Sequence, residues 1–506
     1  MDRRKTKQIQ NARIIATNIF MGLSVIAIVF VLMLIAMGFT FNESGNLEQS
    51  GLVQISSNPG GATVEIDGET QFGRTQISKM LSADEHTVKV TKAGYDTWEK
   101  NLSIDAGLLT RIEWVRLFPL KPEKTTITAF SEPRLTAVSN DRKRMLYLEK
   151  NSSSLIDIDL QGDKSKRTKL DLATILGTDK QTALTGTLSI VSWNSSNNKI
   201  ILNWTTDSAA SIWYLVDLDN INNTINLTAK YSLNFSNILI ANDSASKLWV
   251  VETGKLHLID TSNSSIAATD IADIERITNN KDVVSYVAVD PTTNQREIRI
   301  YKDGDSGSTK ILAIDDPNVS VTLAMGTYWG DEWFAYSIGA KVIVLSGNYP
   351  SYEKPRSNSL KNILTRELDF VPQLVSVNDS QRIAIFAGNA NVMAFDIETG
   401  DYYDSILDSA ITSINWLDDF IIWQNHENKI IIQDFDGGNR RELIKKANTQ
   451  LPVALSENNK WLYFFELTEE FDESAPANAN STDTGAVEET GETKFVYTLK
   501  REKLQI

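Results

Sequence analysis

Three histidines, His86, His257 and His426, are the only imidazoles in 506 residues, and there is no cysteine. They lie far apart in the chain, so none has a partner at metal-ligand spacing. The lack of cysteine removes thiol nucleophiles, disulfides, iron–sulfur clusters and cysteine-based zinc sites together. No Gly-x-Ser-x-Gly elbow and no phosphate-cradling glycine loop occurs. Carboxylates are what remains. Asp331 with Glu332, and Asp418 with Asp419, fall in turns after apolar stretches, and two carboxylates about 5–9 Å apart suffice for glycoside hydrolysis. Acidic residues recur in most turns of this chain, so ordinary turn chemistry is the competing explanation. Asp434 and Asp436 in "DFDGG" resemble the start of a calcium loop but lack the later acidic ligands of an EF-hand. The sequence therefore predicts no catalytic residue, no metal and no cofactor.

Tryptophans offer a second kind of chemistry, since aromatic faces bind sugars and peptides. Trp193, Trp204, Trp329, Trp333, Trp416 and Trp423 are the candidates. Trp193 and Trp416 hold the same place in two similar segments, which favours packing between repeats. Trp193, Trp329 and Trp416 are nevertheless the residues to test as ligand-face aromatics.

The elements that must position these residues begin with a charge asymmetry. Residues 1–13 carry +4 and the remainder −19. So acidic a body does not suit nucleic acid, whose phosphates need clustered Lys and Arg. From Ile14 to Phe41 no residue is charged, long enough to span a bilayer, which takes about 20 apolar residues. A signal peptide has a shorter core and a small-x-small cleavage site; "AMGFTFNESG" offers none. Residues 1–13 are read as a basic cytoplasmic tail, 14–41 as a single transmembrane helix and 42–49 as a linker. The basic flank before the helix keeps the N-terminus inside and the bulk of the chain extracytoplasmic. A long external portion without cystine points to a bacterial cell envelope.

Residues 50–120 read as short strands separated by turns, with period-2 alternation at Val88 and Val90 and at Ile112 and Trp114. Gly60-Gly61 and Asp67-Gly68 supply the positive φ of tight turns. This predicts a small β-sandwich, with His86 at a strand edge and Trp98 in the packing. "NPGGATVEIDG" and the following "GRTQISKMLSADEHTVKVTKAGYDTWEKNLSID" resemble the PEGA domain family. Pro59, Gly60, Gly61, Ala62, Asp67 and Gly68 carry the signature. The resemblance implies an envelope-exposed adhesion, spacer or wall-contact module without catalytic residues.

From about residue 125 the chain repeats an apolar strand, a polar turn and a second apolar strand. Eight starts, at 137, 190, 238, 276, 323, 374, 413 and 453, have the spacing of four-stranded blades, about 40–50 residues. "NKIIIQDFDGGNRRELIKKANTQLPVALSENNKWLYFFE" resembles the TolB-type propeller repeat. Glu457 and Asn459 replace the usual Pro and Gly of its Ser-Pro-Asp-Gly-Lys turn. Thr125–Phe130 is expected to complete the last blade, and 467–493, with eight acids and no base, to be a disordered acidic loop.

The expected fold is thus mostly β: a transmembrane helix, a PEGA-like sandwich, then a TolB- or WD40-like propeller over 121–506. Seven or eight blades fit, and eight fits better. The expected function is non-catalytic binding or scaffolding, with the propeller holding an envelope protein or a cell-wall glycan. The alternative is a glycosidase or lyase using acidic residues in the propeller's central funnel.

Overall fold

An α-helix spans Arg3–Ala36. Its segment Ile15–Ile35 is long and apolar enough to cross a membrane, and none of it is buried by protein. At 1.5 Å per residue this segment measures about 30 Å, the thickness of a hydrocarbon core. The two hydroxyls within the run are satisfied internally: Thr17 donates to the Arg13 carbonyl and Ser24 to that of Phe20, each at 2.8 Å. The helix is shorter than the uncharged run because Gly38, at φ +81°, takes a left-handed conformation. Strand Phe39–Phe41 follows and pairs antiparallel with Leu47–Gln49. The end of the expected span and of the expected linker are therefore strand.

The computed structural model describes residues 3–36, 38–41, 47–162, 165–269, 271–290, 292–354, 360–410, 413–427, 429–444, 451–472 and 492–504. They divide into two units, Met1–Lys121 with Gln505–Ile506, and Pro122–Leu504.

In the first unit, two four-stranded sheets follow the helix. One joins Phe39–Phe41, Leu47–Asn58, Ile77–Ser82 and Leu109–Arg116; the other runs in the order Glu69–Thr70, Thr63–Ile66, Glu85–Thr91, Trp98–Ser103. Alternation places Val53, Ile55, Val64, Ile66, Val88, Val90 and Ile112 inside, and Trp98 is fully buried. Asp67 and Gly68, at φ +52° and +82°, form the two-residue connection between Ile66 and Glu69. Positive φ at both positions is what a type I′ hairpin demands. Ala62 is buried and its N–H is held by the Thr75 hydroxyl at 2.9 Å.

Among the described residues, the second unit forms eight four-stranded antiparallel sheets, each built from strands consecutive in the chain except the last. That last sheet takes Ala454–Leu455, Trp461–Asp472, Glu492–Lys503 and, from the start of the unit, Glu123–Phe130. This is the topology of a β-propeller. Second strands such as Arg144–Glu149 and Lys199–Thr205 are buried almost throughout. They read as continuous apolar runs because neighbouring sheets cover both faces. Met145, Tyr147 and Ile158 of the first sheet share a core with Tyr463, Phe465 and Leu499 of the last, and the Tyr463 hydroxyl donates to the Leu160 carbonyl at 3.0 Å. First and last sheets thus meet.

The acidic insertion departs from expectation at its edges. Trp461–Asp472 and Glu492–Lys503 pair continuously out to Asp472 and Glu492, so residues 467–472 and 492–493 are strand. The β-prone Phe495, Val496 and Tyr497 favour extended pairing despite the acids of the partner strand. Residues 473–491 lie outside the described residues.

Candidate binding site

Several of the sheets share a recurring turn between their first and second strands, and this turn builds much of the site. A Ser or Asn side chain opens it and accepts hydrogen bonds from backbone further on. Ser139 Oγ accepts from the Lys143 and Arg144 N–H groups, and Asn194 Oδ1 from those of Asn198 and Lys199. Asn378 Oδ1 accepts from Ile383 and Ser456 Oγ from Trp461. The fourth residue of each turn then adopts φ between 53° and 60°: Arg142, Asn197, Gln381 and Asn459. Asn tolerates this left-handed conformation better than most residues, which explains how Asn459 substitutes for a glycine.

Three of these turns, those opened by Ser139, Asn378 and Ser456, and the Asp418 turn of the seventh sheet converge on a cavity of about 600 Å³. Its walls come from the first, sixth, seventh and eighth sheets, with Met325 from the fifth. Trp416 and Trp423 supply aromatic surface; Asp141, Asp379, Asp418, Asp419 and Glu457 supply carboxylates, with Arg142 among them. The Trp416 indole N–H donates to Ser376 Oγ at 3.0 Å, which fixes the ring.

The carboxylates are not equivalent. Asp418 Oδ1 accepts from the N–H groups of Phe420 and Ile421, both at 2.9 Å, and so closes its own turn. Asp419 Oδ1 accepts from the Ser380 N–H at 3.0 Å, and its carbonyl accepts from Asn378 Nδ2 at 2.7 Å. These two bonds clasp the sixth and seventh sheets. Asp379 differs: it keeps accessible surface yet stands among many protein atoms in the recess. That crowding, followed by the charges of Asp419 and Asp141, pushes its carboxyl above the usual range against the opposing pull of Arg142.

The other candidate residues disperse. Glu332 accepts from the Tyr349 backbone N–H, and neither it nor Asp331 lines the cavity. Asp434 accepts from Asn439 Nδ2 at 2.9 Å and Asp436 from the Gly438 N–H at 2.9 Å, so both serve the "DFDGG" turn. Trp193 packs against the core between the first two sheets. Trp204 and Trp333 are buried, their indoles donating to the carbonyls of Thr185 and Gln381 at 3.0 Å each. Trp329 is 77% exposed. It occupies, with Gly330, the two-residue turn joining Val321–Tyr328 to Asp331–Ile338, at φ +51°. The strand that contributes Met325 to the cavity therefore ends in an exposed tryptophan.

Two features escape sequence reasoning. Asp379 occupies the second position of its turn, like Asn140 and Asp243; only aligning the repeats by their left-handed residue would have set it at the cavity. His86 is buried rather than peripheral, with Nδ1 2.6 Å from Asp67 Oδ2 and Nε2 3.0 Å from the Ser82 carbonyl. An Asp in a hairpin turn gives no sign that it also holds a histidine.

Residues 50–115 match the PEGA domain family. No curated protein matches the sequence. Among solved structures, the C-terminal WD40 domain of Sif2 is similar at 10% identity and a TM-score of 0.45, covering 74% of this chain and 97% of that one. AztD of Citrobacter koseri is similar at 11% identity and a TM-score of 0.40, covering 71% and 92%. An oligogalacturonate lyase in complex with manganese is similar at 9% identity and a TM-score of 0.38, covering 76% and 98%. These likenesses concern fold, and no function transfers from them.

Proposed function

We propose that this chain is a single-pass protein of the bacterial cell envelope, with a cytoplasmic N-terminus and an extracytoplasmic, eight-bladed binding propeller. In this reading residues 50–120 form a PEGA-type sandwich that acts as spacer or wall contact. The propeller takes a protein or glycan at the cavity beside Trp416 and Trp423.

The observation that carries the binding role is how the cavity carboxylates are used. Asp418 and Asp419 spend an oxygen each on turn and clasp bonds, so the pair proposed from sequence for hydrolysis is engaged structurally. Trp416, by contrast, lines the cavity half-buried, and the largely buried Trp423 backs it. Trp329 adds support. Its indole is 77% exposed, and contact with a ligand would bury that apolar surface.

The enzymatic alternative rests on Asp379, whose raised carboxyl is the kind of group that general acid chemistry needs. An assay of the full-length protein on a panel of cell-wall glycans separates the two. The binding role predicts no bond cleavage; turnover abolished by Asp379→Asn would establish the alternative.

A further inference from the structure

The first unit carries an apolar patch on the outward face of its helix-linked sheet. Leu52 pairs across the sheet with Met80 on one side and with Leu109 on the other, so the three side chains form one cross-strand row. Leu108 precedes them in the turn and is 59% exposed, with Leu109 at 45% and Met80 at 42%. Outward sheet positions normally carry polar residues, and the next row, Ser78, Gln54 and Arg111, does so.

Hydrogen bonds tie this patch to the end of the apolar helix. Gly38 N–H donates to the Ile35 carbonyl at 3.0 Å, and the Gly38 carbonyl accepts from the Ser50 N–H at 2.6 Å and its hydroxyl at 2.7 Å. Ser50 in turn accepts from Gly107, and Leu108 accepts from Leu52, both at 2.9 Å. The approach is so close that a Cβ on Gly38 would lie 2.8 Å from the Gly107 nitrogen. The turn bearing Leu108 is thus packed against a residue only three positions past Ile35, the last residue of the apolar segment.

We infer that this patch is a membrane-contact surface: Leu108, Leu109, Leu52 and Met80 rest in the interfacial layer of the bilayer that the helix crosses. The inference rests on the proposed membrane anchor, and continuity with that anchor selects lipid as the occupant. Asp84, Glu85 and Asp105 are exposed around the same turns. They keep the contact shallow, at the depth of headgroups and first methylenes. Seating the sheet in this way would hold the domain at a set orientation on the membrane.

The natural absence of cysteine permits a direct test with full-length single-cysteine variants in phosphatidylcholine nanodiscs. An environment-sensitive fluorophore is placed by L108C, L109C, L52C, I26C, and by A93C, an exposed site at the opposite end of the domain. Shallow doxyl-lipid should quench positions 108, 109 and 52 about twofold or more relative to position 93. Position 26 should be quenched by deep doxyl-lipid. Quenching at 26, with 108 and 109 no different from 93, would overturn the inference and leave the anchor standing. No quenching at 26 would overturn the anchor and the inference with it. Shielding of 108 and 109 from lipid and aqueous quenchers alike would mean that protein covers the patch, and would also overturn it.

Discussion

Asp67 combines two roles that are normally separate. Its left-handed backbone makes the hairpin, while its carboxylate accepts from the Thr87 N–H and grips His86. The His86 hydrogen bond holds the Asp67 carboxyl below 3.8, against a smaller effect of burial. Burial disfavours charge on His86, but the bonds to Asp67 and the Ser82 carbonyl, with the Asp67 and Asp84 charges, raise it above 6.5. The signs give a window. The depressed Asp67 contributes stability above pH 3.8 that is lost as pH falls through its folded pKa. The raised His86 contributes stability below pH 6.5 that is lost as pH rises through its folded pKa. The pair's contribution is therefore greatest from about pH 4 to 6.5. Thermal unfolding of the first unit should show a maximum there, and Asp67→Asn should flatten it; an unchanged profile would mean the pair does not hold the hairpin.

Among elements, the second strands and the turns leading into them carry the packing. Gly326 lies opposite Trp333, and a Cβ there would stand 2.5 Å from the indole. Trp333 is fully buried and donates to the next sheet's Gln381 carbonyl, so it cannot retreat. Gly326→Ala should cost about 1–3 kcal/mol by overpacking, read as a lowered urea midpoint. Arg382 and Asp396 form a buried two-pronged pair, with Nε–Oδ1 at 2.9 Å and Nη2–Oδ2 at 2.6 Å. Asp396→Ala would remove the two-pronged carboxylate while Glu398 still pairs with the guanidinium, and should cost about 1–3 kcal/mol; a loss under about 0.5 kcal/mol would contradict that account. These elements also mark how far sequence could see. The repeat was legible because buried second strands such as "RMLYLE" and "KIILNW" are apolar without alternation, and the turns between are polar. The Asp-Gly hairpin was legible from its backbone demands alone. The cavity was not, because its walls are turn residues more than 300 positions apart in the chain, from Asp141 to Glu457. Nor does composition separate Asp418, engaged in its turn, from Asp379, which is not.

For the whole molecule, the proposed orientation places the basic tail inside and the acidic body outside. Protease added outside intact cells should remove Pro122–Leu504 and spare the N-terminal tail; complete protection would reverse the proposed orientation. In the proposed topology, the order helix, PEGA-matching domain, propeller makes the middle domain the link through which a ligand load would reach the membrane. The central claim is that the cavity face of the propeller binds a partner. It is tested most directly by placing a photo-crosslinking amino acid at Trp329 or Asp379 of the full-length protein in its native membrane, with exposed Lys361 on an outer strand as control. Light-dependent adducts to one protein or glycan from positions 329 and 379, and none from 361, are predicted. Equal labelling from all three, or none from 329 and 379, would contradict it.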